Sequence, residues 1–189
     1  MKILQKARVL CNSFFFKKRL KKYGKKIRIY KNNRFEGLEN VIIGDDFSSL
    51  EGLWLGTYSK YYAYSYNPLI QIGNDVHISR NTHIGCINGI VIKDNVLIGS
   101  NVLINDHMHG ETFDFSKPRY LLPLVSKGKI VIGENCFIGD NVCIFGGVTI
   151  GKNCVVAANS VVNKSFPDNC LIAGSPAVLI KKMEETKNV

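Results

Sequence analysis

From residue 132 to residue 162 an aliphatic side chain recurs at every sixth position: Ile132, Ile138, Ile144, Ile150, Val156 and Val162. A small residue usually follows, as at Gly133, Gly139, Gly151 and Ala157, and a modest side chain sits four places after each aliphatic (Cys136, Val142, Val148, Cys154, Ser160). The same spacing runs through Ile72, Ile78 and Ile84 and, after a two-residue slip, through Ile92, Ile98 and Ile104; residues 41–46 read as an irregular first instance. An amphipathic helix repeats every 3.6 residues and a half-buried strand every two, so a period of six fits neither. It predicts short strands with one inward aliphatic each, joined by tight turns at which Gly or Asn relieves backbone strain. A repeat of this kind decides the architecture of the whole chain.

Two stretches break the pattern. Residues 105–129 carry Phe113, Phe115, Pro118, Arg119, Tyr120 and Pro123. An excursion of that length from a regular scaffold is functional or disordered, and its aromatics and arginine favour an ordered site loop. Residues 53–69 hold Tyr58, Tyr61, Tyr62, Tyr64 and Tyr66, which fit either carbohydrate stacking or an ordinary interface or coil wrap. Near the N-terminus, Ile3, Ala7, Leu10 and Phe14 fall on one helical face with Lys2, Lys6 and Arg8 off it. Residues 178–185 read as a short closing helix.

Composition adds a division. The chain has 189 residues, 46% hydrophobic and 21% charged, and a net charge of +10, an ordinary globular make-up rather than a disordered one. Residues 1–35 hold 13 of the 25 Lys and Arg and no acid; residues 36–189 hold the other 12 and all 15 acids, so the charge splits into +13 and −3. The basicity belongs to a head, residues 1–35, and the body, residues 36–189, needs no nucleic-acid partner. A basic amphipathic helix suits an anionic membrane face, at about 1 kcal/mol per basic residue near the surface; the alternative is a solvated arm that packs residues 14–16 on the first coil. No apolar run approaches the roughly 18 residues that span a bilayer. The run from Val9 to Phe16 is broken by Asn12 and Ser13 and followed by Lys17, Lys18 and Arg19, unlike a signal peptide. The six cysteines form no CxxC pair, so reduced thiols in a cytoplasm are expected, with the basic head allowing a peripheral position on the inner membrane face.

The hexads, the long loop with Asn105-Asp106-His107-Met108-His109-Gly110 at its entrance, and the closing Ala173-Gly174-Ser175-Pro176-Ala177 resemble the hexapeptide-repeat acetyltransferases over roughly residues 41–181. The resemblance implies an all-β fold, a left-handed parallel β-helix of triangular section with three hexads, 18 residues, per coil. Residues 18 apart should then stack, Ile132 under Ile150 and Cys136 under Cys154; the paired thiols read as small core residues. It also implies acetyl-CoA as co-substrate without a metal, a homotrimer with sites between subunits, and a sugar acceptor. The catalytic candidate is His107, a general base whose neutral imidazole takes a proton from an acceptor hydroxyl. An oxyanion donor is expected at the backbone near Gly139 and Asp140. Strand alternation turns Asp106 away from His107, which leaves a backbone carbonyl to orient the imidazole.

For the acceptor the resemblance nominates Asn81 and Ser79, although Ser79-Arg80-Asn81 stands where galactoside-type enzymes have Asn-Phe-Asn; His109 and Arg119 join them from the loop. For coenzyme A it nominates Gly139, Asp140, Ala157, Ala158, Asn163, Lys164, Pro176, Ala177 and Lys181, with Asn163 and Val178 departing from the usual Thr and basic residue. The expected reaction is O-acetylation of a sugar hydroxyl of a bacterial surface polysaccharide or its precursor. N-acetylation of an amino nucleotide-sugar or an antibiotic is the nearer alternative. A γ-carbonic-anhydrase-like zinc site, a serine acetyltransferase and a non-enzymatic scaffold are more distant.

Overall fold

The computed structural model describes residues 2–182, with side chains from Ala7 onward. Three parallel sheets face one another as a triangular prism. The first face stacks Lys22–Tyr23, Val41–Ile43, Leu69–Ile72, Gly89–Ile92, Ile130–Ile132 and Thr149–Ile150; the second runs from Arg28–Ile29 to Cys170–Gly174; the third stacks Arg34–Glu36, Trp54–Thr57, His83–Cys86, Leu103–Asn105, Cys143–Phe145 and Val161–Val162. Ile132 pairs with Ile150 and Ile138 with Val156, the 18-residue step expected from the hexads. Ile84, Ile92, Ile98, Ile104, Ile138, Ile144 and Val156 are at most 1% exposed, each contributing about 1.5–3 kcal/mol by burial. Cys136 and Cys154 lie in the same core.

The period of six has a second cause at the corners. Asn81, Asn95, Asn101, Asn135, Asn141, Asn153 and Asn159 all sit three residues after an inward aliphatic and all have φ between +56° and +61°. Asparagine tolerates the left-handed region, and here its amide also donates to the Asn one coil up. Asn81 donates to Asn101 (3.3 Å), Asn101 to Asn141 (3.1 Å) and Asn141 to Asn159 (3.0 Å); Asn95, Asn135, Asn153 and Asn169 form a second column.

The prism begins inside the basic head, because residues 22–36 supply one strand to each face. Helix Lys2–Lys17 lies over this first coil and plugs it with Phe16, 2% exposed and tilted at 45° against the Phe35 ring, 4.5 Å between centroids. Ser13 is buried beside it and accepts from the Ile29 N–H (2.9 Å). The expected apolar face is therefore not the docked one: Leu10 is 70% and Phe14 50% exposed, with Phe15 at 63%; the Ile3 side chain lies outside the described ones. The closing element is also different from expectation. Ala177–Lys182 is a strand antiparallel to Cys170–Gly174, because pairing satisfies the free edge of the second face; the rest of the expected helix, beyond residue 182, lies outside the described residues.

Both interruptions are ordered hairpins. His107–His109 pairs with Leu124–Ser126, and Lys60–Tyr61 pairs with Tyr64–Ser65. They hold each other: the Tyr61 hydroxyl donates to the Tyr120 carbonyl (2.6 Å) and the Leu124 N–H donates to the Tyr66 hydroxyl (2.8 Å). Part of the tyrosine cluster thus buttresses the long loop.

Candidate active site

The third face delivers Asn105 to the corner and the chain turns outward there. Asp106 points inward and is 1% exposed. Its Oδ1 accepts from the Ile87 N–H (2.9 Å) and from His107 Nδ1 (3.0 Å), and its Oδ2 accepts from the Asn88 and Gly89 N–H groups (2.9 Å each) and the Cys86 thiol (3.3 Å). Burial opposes the charge, but the His107 bond and the three N–H donors outweigh it and hold the carboxyl below its usual pKa. Burial, then the Asp106 charge, push the Cys86 thiol up, so it stays a donor. The expectation that Asp106 is turned away from His107 is corrected here. Its backbone alternates as expected, yet the carboxylate reaches back one residue to the imidazole.

The His107 side chain is 10% exposed. With Nδ1–H bound to the carboxylate, Nε2 is left as the acceptor, a tautomer assigned from this bond. The Asn105 amide donates to the His107 carbonyl (2.7 Å), and Tyr58 meets the ring edge-on at 5.7 Å. The imidazole separates two clefts. One, of about 270 Å³, is lined by Trp54, Tyr58, Tyr61, His83, His109 and Leu124. The other, of about 200 Å³, is lined by Val125, Lys127, Phe145, Gly146 and Asn163. Gly146 is needed for close approach, since a Cβ there would lie 2.5 Å from the Asp106 carbonyl oxygen.

The structure brings some sequence candidates to this place and not others. His109 lines the first cleft, edge-on to Tyr61 at 5.2 Å, and Asn163 lines the second. Arg119 donates to the carbonyls of His109 (3.3 Å), Glu111 (2.6 Å) and Thr112, so it pins the loop. Ser79 and Asn81 sit at the corner between the second and third faces, Asn81 inside the amide column. Gly139, Asp140, Ala157 and Ala158 occupy that same corner higher up. At several other corners the N–H equivalent to that of Asp140 is taken by an acidic or amide side chain one coil above, as when Asn74 donates to Asp94 (2.8 Å) and Lys152 to Asp168 (2.9 Å). Above Asp140 stands Ala158, which offers none, and the Asp140 N–H has no hydrogen-bond partner among the described residues. Lys164 leans over the Phe166 ring at 5.8 Å and Lys181 is exposed on the last strand. Pro176 is exposed, whereas Ala177 after it is fully buried, backbone included, and offers a ligand no surface here.

Sequence reasoning assigned Trp54, His83 and Asn105 no role at the site, set Asp106 aside as the partner of His107, and named Tyr58 only within the tyrosine cluster. His83 pairs in register with Trp54, 29 residues earlier, and the tyrosine hairpin between them hides that relation from an 18-residue count. Among the described residues no three His, Cys, Asp or Glu side chains converge as a metal site.

The sequence profile described as the hexapeptide repeat of succinyl-transferase matches residues 129–164. The Escherichia coli (strain K12) protein WbbJ, which carries a provisional assignment as a lipopolysaccharide biosynthesis O-acetyl transferase, is 35% identical over 155 residues, 78% of this chain and 75% of its own. The chain belongs to the hexapeptide-repeat acetyltransferases. Galactoside O-acetyltransferase of the same organism is 36% identical over 65% of this chain, which spans 58% of that enzyme's length. A galactoside acetyltransferase solved with coenzyme A superposes with a TM-score of 0.65, at 26% identity, over 94% of this chain and 72% of its own. The Bacillus cereus N-acyltransferase AntD, solved with dTDP and coenzyme A, shares the fold at a TM-score of 0.76 and 22% identity, over 91% and 88% of the two chains. The prism is accordingly the family's left-handed β-helix and the chain is an acyltransferase, which acetyl-CoA fits as co-substrate.

Proposed function

We propose that this acetyltransferase moves the acetyl group of acetyl-CoA to a hydroxyl of a sugar in a bacterial surface polysaccharide or its precursor, with His107 as general base. One observation carries the reading: His107 Nε2 is free between two clefts while Nδ1 is tied to a buried, ionised Asp106. The donor supplies a thioester carbonyl, placed on the Asn163 and Gly146 side. Nε2 takes the proton of the acceptor hydroxyl as its oxygen bonds to that carbonyl carbon, and Asp106 stabilises the imidazolium. When the tetrahedral adduct collapses, the C–S bond breaks, and His107 returns its proton to the departing sulfur. The products are the sugar ester and the free thiol of coenzyme A, with no acyl-enzyme.

The oxyanion needs a donor, and Asp140 offers an unpaired N–H. His107 follows a strand of the third face and Asp140 follows a strand of the second, so one chain does not bring them together. A second copy, placing its second-to-third corner against the His107 edge, completes the site; three-fold closure gives each of three edges one such contact, and the homotrimer is part of the proposal. The exposed Leu10, Phe14 and Phe15, with basic neighbours and no acid in residues 1–35, support a peripheral contact with anionic lipid. No described helix is long and apolar enough to cross a membrane. The test is a screen of free sugars, nucleotide sugars, amino sugars and lipid-linked oligosaccharides with acetyl-CoA, read as thiol release. Turnover on hydroxyl acceptors supports the reading, and turnover confined to amines replaces it with N-acetylation.

A further inference from the structure

The cleft on the Tyr58 side of His107 holds polar atoms that the proton transfer does not use. Gly56 and Gly85 pair in register on the third face, and neither has a positive φ. The backbone does not require glycine at either position; the space does. A Cβ on Gly85 would lie 2.6 Å from Asn105 Oδ1, 3.4 Å from His83 Nε2 and 3.4 Å from His107 Cε1. Glycine at this position therefore lets Asn105 Oδ1 pack close over its backbone, and the three polar side chains converge on a notch in the wall of the cleft that His83, Asn105 and His107 all line; His107 Nε2 is one bond from the third of these atoms. Asn105 Oδ1 and His83 Nε2 are both buried and both lack a hydrogen-bond partner among the described residues. Orphaned buried polar atoms are rare and costly, and two of them meet in one notch.

Each is held in place by its other contacts. The Asn105 amide nitrogen is committed to the His107 carbonyl, so the oxygen is fixed toward the notch. The His83 ring lies flat on Trp54 at 4.1 Å and 10°, and the Arg34 guanidinium covers the far face of that indole at 4.3 Å. Burial, then the charges of His107 and Arg34, lower the His83 pKa, so its imidazole is neutral.

Building on the proposed sugar acetylation, we propose that the Gly85 notch is an acceptor subsite that recognises a second hydroxyl, on the carbon next to the one acetylated. That hydroxyl donates to Asn105 Oδ1 and accepts from His83 Nε2–H, satisfying both orphans at once. The reacting hydroxyl lies beside it against His107 Nε2, at the spacing of oxygens on neighbouring carbons. The acceptor is thus a vicinal diol, and His83 and Asn105 are specificity-determining residues rather than catalytic ones.

The test uses the full chain with coenzyme A ligands and a panel of methyl glycosides of galactose, glucose, mannose and rhamnose with their monodeoxy derivatives. Wild type should favour a parent glycoside over the derivative lacking the neighbouring hydroxyl by at least tenfold in kcat/KM. His83→Phe keeps the stacked ring and removes Nε2. It should reduce that preference about tenfold, mainly through KM, with coenzyme A affinity and the melting temperature near wild type. In nitrogen-15 histidine spectra the His83 Nε2 resonance should shift with the parent glycoside and not with that derivative. An unchanged preference in His83→Phe overturns the subsite. So does the absence of both turnover and a His83 shift across the panel in protein that binds coenzyme A. An active His107→Ala would instead strike the base assignment, so the two failures are distinguishable.

Discussion

Asp106→Asn separates the charge of the buried carboxylate from its shape. In the native chain five donors converge on two oxygens: the Ile87 N–H and His107 Nδ1–H on Oδ1, the Asn88 and Gly89 N–H groups and the Cys86 thiol on Oδ2. An amide keeps one oxygen and replaces the other with a donor. With its NH2 in the Oδ1 place, it faces the Ile87 N–H and leaves His107 Nδ1 without an acceptor. With its NH2 in the Oδ2 place, it strands the Asn88 and Gly89 N–H groups in a site that is 1% exposed. Two buried donors lose their partner in the first case and, with the Cys86 thiol, three in the second, at about 1–3 kcal/mol for each N–H. The melting temperature should fall by on the order of 10 °C, at ~2–4 °C per kcal/mol for a chain of this size. Turnover should fall about 10²- to 10⁴-fold, because the imidazolium loses its counter-charge and the tautomer is no longer fixed. The stability difference also has a pH sign. The folded carboxyl has a depressed pKa, so its contribution is complete above the unfolded aspartate value of about 3.9 and is lost as pH falls through the lower folded value. Wild type and Asp106→Asn should converge in melting temperature only in that acid range. Thiol-release kinetics and calorimetry over pH 3–8 make the check. A variant with native kcat/KM and native melting temperature at neutral pH would refute the reasoning.

The corner columns predict that Asn141→Ala, at φ +59° with amide bonds to Asn101 and Asn159, loses about 1–3 kcal/mol in chemical denaturation while Asn141→Gly loses less; equal losses would discount backbone strain as the reason for asparagine. Tyr66→Phe removes the hydroxyl that the Leu124 N–H uses and should raise hydrogen exchange at Leu124 more than at the Asn columns. Deletion of residues 1–16 should weaken pelleting with vesicles containing anionic phosphatidylserine and leave neutral phosphatidylcholine vesicles unaffected; equal pelleting with the anionic vesicles would remove the lipid role.

What could be read from sequence depended on how local the cause was. The Ile132 to Val162 spacing exposed the solenoid because each hexad meets its equivalents at a constant step. His107 was legible because it stands where the repeat stops. The partner of His107 was not: strand alternation correctly turned the Asp106 backbone away, but a carboxylate can reach past its own strand, and the N–H groups that hold it come from residues 87–89. The helix face was misread for a similar reason. Leu10 and Phe14 form the stronger apolar stripe, yet Ser13 and Phe16 dock, because the first coil offers the Ile29 N–H and the Phe35 ring at that place. His83 and Asn105 carry no local signal at all; their meaning comes from the glycine between them.

The central claim is that His107 takes the proton of a sugar hydroxyl during direct acetyl transfer. Its most direct measurement is acceptor-dependent thiol release from acetyl-CoA by wild type and His107→Ala, with coenzyme A affinity measured in parallel. The variant should bind coenzyme A as wild type does and turn over about 10²- to 10⁴-fold more slowly. A His107→Ala protein that acetylates the same acceptor at near wild-type rate would contradict the account.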